Sequence, residues 1–356
     1  DGLLALLGSI GKKGAKESAS EEPEEESADK PKEKGKGSEP ASEASAETRT
    51  AHLLFLSRQE IEAVGAFAKL KKEALTKVFE FSKKKPNAKA IEKLRKDLKE
   101  HLEEHTKKNA VDVGLFGRFV TSAEFDTVEG ALQVAHGLGT QKVEVEYDYF
   151  TAVDDLGEGP GAGHLGESEF ASSVLYLYAC CDLGQLEQNL GARTARGRTP
   201  DGEAHKLARK SLPALVRAMA EATPKGKKTG TAPHAPAEYV EVVVRRGAPL
   251  SFANAFAKPV DAREASGDVM AASIARFASH RDRIEGAYGR GADALARFAL
   301  CLRDVEGAVP KGHEVKTIAE LAQKLAAVLT ALTEGHEVKT NAELAVKVAE
   351  ALKALP

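Results

Sequence analysis

Asp154 and Asp155, followed nine positions later by His164, are residues whose types could do metal chemistry in this 356-residue chain. Paired carboxylates hold the hard divalent cations that activate water for phosphodiester cleavage, so a metal-dependent nuclease is one reading of the trio. Against it, adjacent aspartates on an extended strand point to opposite faces. The stretch that follows holds Gly157, Gly159, Pro160, Gly161 and Gly163, which favours a hairpin tip, and a carboxylate pair at a hairpin base commonly serves the turn or a subunit contact. The cysteines Cys180, Cys181 and Cys301 are odd in number, two are adjacent, and none has metal-ligand spacing. Neither a disulfide framework nor a zinc site is indicated. The reading is therefore of a protein that is not an enzyme and needs no metal or cofactor.

Charge is unevenly spread under a formal net value of -3. Between Lys142 and Glu169 one lysine faces eight acidic residues, whereas between Arg193 and Lys228 ten Lys or Arg face three acidic ones. The basic stretch suits phosphates or is a solvated helix face; the acidic one lies along a nucleic-acid backbone only at a cost.

The elements that must carry these charges follow from periodicity. Residues 11–51 hold no aromatic residue and no Val, Ile, Leu or Met, so residues 1–52 are read as a mostly disordered low-complexity segment. Ser57 and Glu60 have capping-box spacing, and Ile61, Val64, Phe67, Leu70, Leu75 and Val78 continue at helical intervals. Past the Pro86-Asn87 break, Ile91, Leu94, Leu98 and Leu102 form a second stripe, which predicts a helical hairpin over 53–110. The period then changes. Val111, Val113 and Leu115 alternate toward Phe119, and Val143, Val145, Tyr147 and Tyr149 alternate with acidic residues, the pattern of half-buried strands.

Further along, Ser173–Cys181 reads as a strand, Leu183–Leu190 as a short helix, 203–222 as a helix interrupted at Pro213, Tyr239–Val244 as a strand and Ala265–Tyr288 as a helix. Gly-His-Glu-Val-Lys-Thr at 312–317 recurs at 335–340, each time before Ala-Glu-Leu-Ala, so 305–356 is a duplicated helical tail. Together these give an α+β architecture with an antiparallel sheet. No apolar run is long enough to span a membrane and the start lacks a signal layout, so a cytoplasmic protein with no membrane partner is expected.

Several short runs, in order, are more specific. Phe150-Thr-Ala-Val-Asp-Asp-Leu156, His164-Leu-Gly166, Glu169-Phe170, Gln185-Leu-Glu-Gln-Asn-Leu-Gly191, Pro249-Leu-Ser-Phe-Ala-Asn-Ala-Phe256, Asp282-Arg283 and Tyr288-Gly289 resemble the CasC-type backbone subunit of the type I-E CRISPR Cascade surveillance complex, over roughly 111–304. That resemblance implies an RNA-recognition-like (ferredoxin-like) palm over 111–304, helical fingers over 53–110 and a thumb hairpin over 149–166. It implies a role in antiviral defence, with copies of the chain polymerised head to tail along a CRISPR RNA. The thumb of each would reach its neighbour over a kinked nucleotide. The partners implied are the guide RNA, target DNA through the guide, and other Cascade subunits.

The same resemblance names RNA-binding candidates. Arg118 and Phe119 fall where the family wedges a guide kink, although Phe119 also suits a core. Phe150, Thr151, His164 and Leu165 stand at the base and return of the thumb, where they would meet the guide or the next subunit. Lys225, Lys227 and Lys228 match a basic loop, and Lys258 and Arg263 match basic palm positions, while Asp261 stands where a second basic residue is expected. The family also begins with a palm strand and a basic Ser-rich segment that this sequence lacks, which suggests a fragment. A third alternative is a purely structural subunit whose acidic thumb meets the basic 193–228 segment of the next copy.

Overall fold

In the computed structural model, residues 54–79, 88–106, 109–120, 124–153, 162–194, 197–222, 228–261, 263, 267–334 and 341–354 are described. The low-complexity segment lies outside them. The chain divides into two compact units, Asp1–Leu132 with Cys181–Ala204, and Gln133–Cys180 with His205–Pro356. Residues 111–132 and 181–204 thus fold with the finger helices.

The first unit begins with the capping box read from the sequence. Ser57 Oγ accepts the Glu60 N–H at 3.2 Å and the Glu60 carboxylate accepts the Ser57 N–H at 2.8 Å, which starts α1 (Arg58–Leu70). The apolar stripe does not continue as one helix: it breaks at Lys71 and resumes as α2 (Lys72–Phe79). The returning helix, α3 (Ala88–His105), buries Leu94, Leu98 and Leu102 against Ala63, Val64, Phe67 and Leu75. Lys71 Nζ, 2.8 Å from Asp97, ties the break to α3.

The alternating Val111, Val113 and Leu115 form no strand. They fold as a six-residue helix, α4 (Val111–Phe116), ended by Gly117 at φ 75°. Here Gly114 lets the helix lie on α5 (Leu183–Leu190), since a Cβ there would stand 3.1 Å from the Leu190 side chain. Asp182 caps α5 by accepting the Gln185 N–H at 3.0 Å, and Leu186 and Leu190 are fully buried. A small hairpin, Ala192–Thr194 with Gly197–Thr199, completes this unit.

The second unit carries a long antiparallel hairpin, β1 (Val145–Val153) and β2 (Ala162–Ala171). It extends beyond the 149–166 span expected for the thumb. The strand expected over Ser173–Cys181 is two short ones, Leu175–Tyr176 and Ala179–Cys181, the former paired with Leu138–Gly139. Pro213 does not interrupt its helix: α6 (Gly202–Glu221) runs through it.

The main sheet has the order β5-β4-β3, from β3 (Tyr239–Arg245), β4 (Ala294–Cys301) and β5 (Glu314–Val315). Strands β3 and β4 are antiparallel and β5 adds in parallel, so the expected antiparallel sheet has a short parallel edge. On one side Ala296, Phe298 and Leu300 pack with Leu321, Val328 and Val348 from α8 (Ile318–Glu334) and α9 (Asn341–Lys353). The duplicated tail therefore packs on its own sheet. The alternate residues of these strands meet α7 (Val269–Ala287) through charge. Arg297 pairs with Glu241 at 2.5 Å and with Glu285 at 2.5 Å, Arg281 with Glu241 at 2.7 Å, and Arg245 with Glu285 at 3.1 Å. The chain is an α+β protein with small sheets.

Candidate nucleic-acid interface

Arg118 and Phe119 are adjacent in sequence and opposite in environment. The Arg118 guanidinium is buried: Nη1 donates to both Glu60 carboxylate oxygens at 2.7 and 2.8 Å, Nε donates to Asp126 O at 3.0 Å, and the group lies 5.6 Å from the Phe125 ring centre. Its backbone exchanges two 2.8 Å hydrogen bonds with Val128. The loop is also pinned by a close backbone crossing, because a Cβ on Gly117 would fall 2.7 Å from Gly130 N. With its neighbour so committed, Phe119 projects outward and is 83% exposed, which excludes the core role that its residue type also allowed. Glu60 therefore serves twice, once in the capping box of α1 and once on Arg118.

Beside this loop opens a cleft of about 520 Å³, lined by Asn109, Phe125, Asp126, Gln188, Asn189 and Arg198 among others. Its floor is fixed by Asn189, whose Nδ2 donates to Gly114 O at 2.9 Å and to Glu129 O at 2.7 Å. Arg198 reaches Gly191 O at 3.1 Å and Asp126 at 3.4 Å. Sequence reasoning did not single out these cleft residues. The signal was weak but present: Asn189 lies in the Gln185–Gly191 run and Arg198 in the basic stretch.

The other candidates lie in the second unit. Phe150 and Thr151 are exposed on β1, with Phe150 paired in register to Gly166 and Thr151 to Leu165. The Phe150 ring lies over Gly166, where any Cβ would collide with it. His164 stands opposite Ala152 in the same ladder. Lys258 is exposed and its carbonyl accepts from Arg276 at 2.6 Å; Arg263 is exposed, and Asp261 accepts its backbone N–H at 2.8 Å, closing the loop that holds both. Lys228 opens a four-residue helix, while Lys225, Lys227, Asp154 and Asp155 lie outside the described residues. Among the described residues no group of three or more His, Cys, Asp or Glu is placed to hold a metal ion, and no helix is long and apolar enough to cross a membrane.

The family model described as CT1975-like protein matches residues 7–350 of this chain. The chain belongs to that family. A search of curated proteins finds no match. Among solved structures, this CT1975-like chain is similar to a chain of a "CRISPR RNA-guided surveillance complex, pre-nicking", with a TM-score of 0.61 and 23% identity over 92% of this chain and 77% of that one. It also resembles a chain of a "CRISPR RNA-guided surveillance complex" with a TM-score of 0.49 and 25% identity, covering 65% of this chain and 81% of that one. The first likeness shows a shared fold. The type I-E subtype read from the motifs is finer than the family match.

Proposed function

We propose that this CT1975-like protein is an RNA-binding backbone subunit of a CRISPR RNA-guided surveillance complex of Cascade type, gripping the guide without reading its sequence. In this reading the palm is RNA-recognition-like, copies recur along one guide, and target DNA is met only through base pairing to that guide. The observation that carries it is Phe119, an aromatic ring held 83% exposed on a loop whose other side is locked by the buried Arg118–Glu60 pair. A rigid exposed ring suits a base or the gap at a kink, since every base offers a stacking face. Arg118 then acts as a positioning residue, because its guanidinium is already engaged, and phosphate contacts fall to cations such as Lys258 and Arg263. The surveillance-complex membership of the similarly folded chain supports the same reading.

The test is a salt titration of binding to a labelled single-stranded CRISPR RNA. Log affinity should fall linearly with log salt, with a slope of about -0.7 per phosphate neutralised. Phe119→Ala should weaken binding at every salt concentration without changing that slope. A wild-type chain that ignores RNA at low salt would sink the reading.

A further inference from the structure

The hairpin β1–β2 exposes side chains on both of its faces. From Val145 to Thr151 every residue is exposed, and so are Glu167, Glu169 and Phe170 on the return strand. Tyr149 is 70% exposed and Tyr147 53%. A two-stranded hairpin is marginal in water without a further layer, and an aromatic ridge of this kind marks a contact surface. Register says what that surface is made of. Tyr147 stands opposite Glu169 and Tyr149 opposite Glu167, so ring and carboxylate alternate on one face. The other face sets Glu146 opposite Phe170 and Asp148 opposite Ser168.

Over residues 143–150 and 166–171 there are five carboxylates and no Lys or Arg. A phosphate backbone laid on either face would meet like charge. The occupant that fits is a row of cations on apolar stems, because a lysine chain lies along a tyrosine ring while its ammonium reaches the neighbouring carboxylate. Such a row exists in this chain. Lys206, Lys210 and Arg217 follow one another at four and seven residues on α6, all exposed, with exposed Leu207 and Ala214 beside them. Arg217 is paired with Glu221 at 2.9 Å, which leaves Lys206 and Lys210 as the centre of the stripe.

We propose that the hairpin is a protein-docking arm whose Tyr147, Tyr149, Glu167 and Glu169 face seats the Lys206 and Lys210 stripe of α6 on a second copy of this chain. The contact is heterologous, joining two different surfaces, so it propagates from copy to copy instead of closing a dimer. It rests on the backbone-subunit reading in requiring copies to recur, but it assigns the hairpin to protein and not to RNA.

The experiment uses the full chain in two charge-reversed forms, Glu167→Lys with Glu169→Lys, and Lys206→Glu with Lys210→Glu. Self-association is followed by sedimentation, and affinity is measured separately on an RNA short enough to seat one copy. Each form should associate about tenfold more weakly than wild type, since reversal places like charges together, and an equimolar mixture of the two should recover association. The hairpin form should bind the short RNA as wild type does. A mixture that fails to recover association, or a hairpin form that binds the short RNA about tenfold more tightly with association unchanged, overturns the proposal. Recovery in the mixture by a chain that never binds RNA would uphold the docking arm while sinking the RNA-scaffold reading.

Discussion

Arg118 and Phe119 separate stability from binding within two residues. The side chain of Arg118 is 3% exposed and that of its partner Glu60 10%, so removing the guanidinium strands a carboxylate in the interior. Arg118→Ala should cost about 3–5 kcal/mol and lower the melting temperature, read by thermal unfolding. Phe119→Ala should leave stability within about 0.5 kcal/mol, because an exposed ring contributes little to the fold, while weakening RNA binding. If both changes lowered the melting temperature equally, the division of labour argued for this loop would be wrong. The Gly117–Gly130 crossing makes the presentation of Phe119 a backbone property as much as a side-chain one.

At the level of elements, the finger helices hold together through one narrow stripe, and Leu98, fully buried at its centre, has no neighbour able to fill its place. Leu98→Ala should cost about 2–5 kcal/mol through the cavity it leaves, and hydrogen exchange should show α1 and α3 opening before the β3–β4 sheet. A uniform loss of protection would contradict that order. The stripe was legible because helical spacing over 18 residues is unambiguous, as was the reciprocal Ser57–Glu60 cap. Val111 to Leu115 were not: three apolar residues at period two fit a strand and equally a single buried helical turn. The cue for the helix was Asp112 in its first turn with Gly117 behind it, a stop that a strand does not need. The alternation of Val145, Tyr147 and Tyr149 located a real strand but implied a half-buried one. Periodicity records which side chains share a face and carries no information on what covers it, so the exposure of both faces became visible only in three dimensions. For the same reason Phe119 was open between core and wedge, and Arg118 was read as a phosphate contact when its partner lay 58 residues away.

Across the whole chain the two units are stabilised differently, the first by the finger core and the second by a sheet with leucines on one side and a layer of paired charges on the other. That layer ends at Tyr239, whose hydroxyl donates to Glu241 at 2.6 Å and accepts from Arg281 at 3.2 Å. Burial first, and then the charge of Glu241, push the Tyr239 phenol above its ordinary value of 10.0. Because its folded value is raised, the hydroxyl contributes stability that is fully present below about pH 10, where the unfolded phenol is still protonated, and that drains away as pH rises toward the folded value. Tyr239→Phe removes this contribution along with a hydrogen bond to a charged group, which is worth about 1.5–3 kcal/mol. Lysine deprotonation also weakens the protein in this range, but it acts on both forms alike. The informative quantity is therefore the difference in melting temperature between wild type and Tyr239→Phe as a function of pH. It should be constant from pH 7 to about 9 and shrink as pH climbs past about 10. A gap that stays constant to pH 11 would mean that the hydroxyl ionises alike in the folded and unfolded chain, and that the charged layer does not reach it.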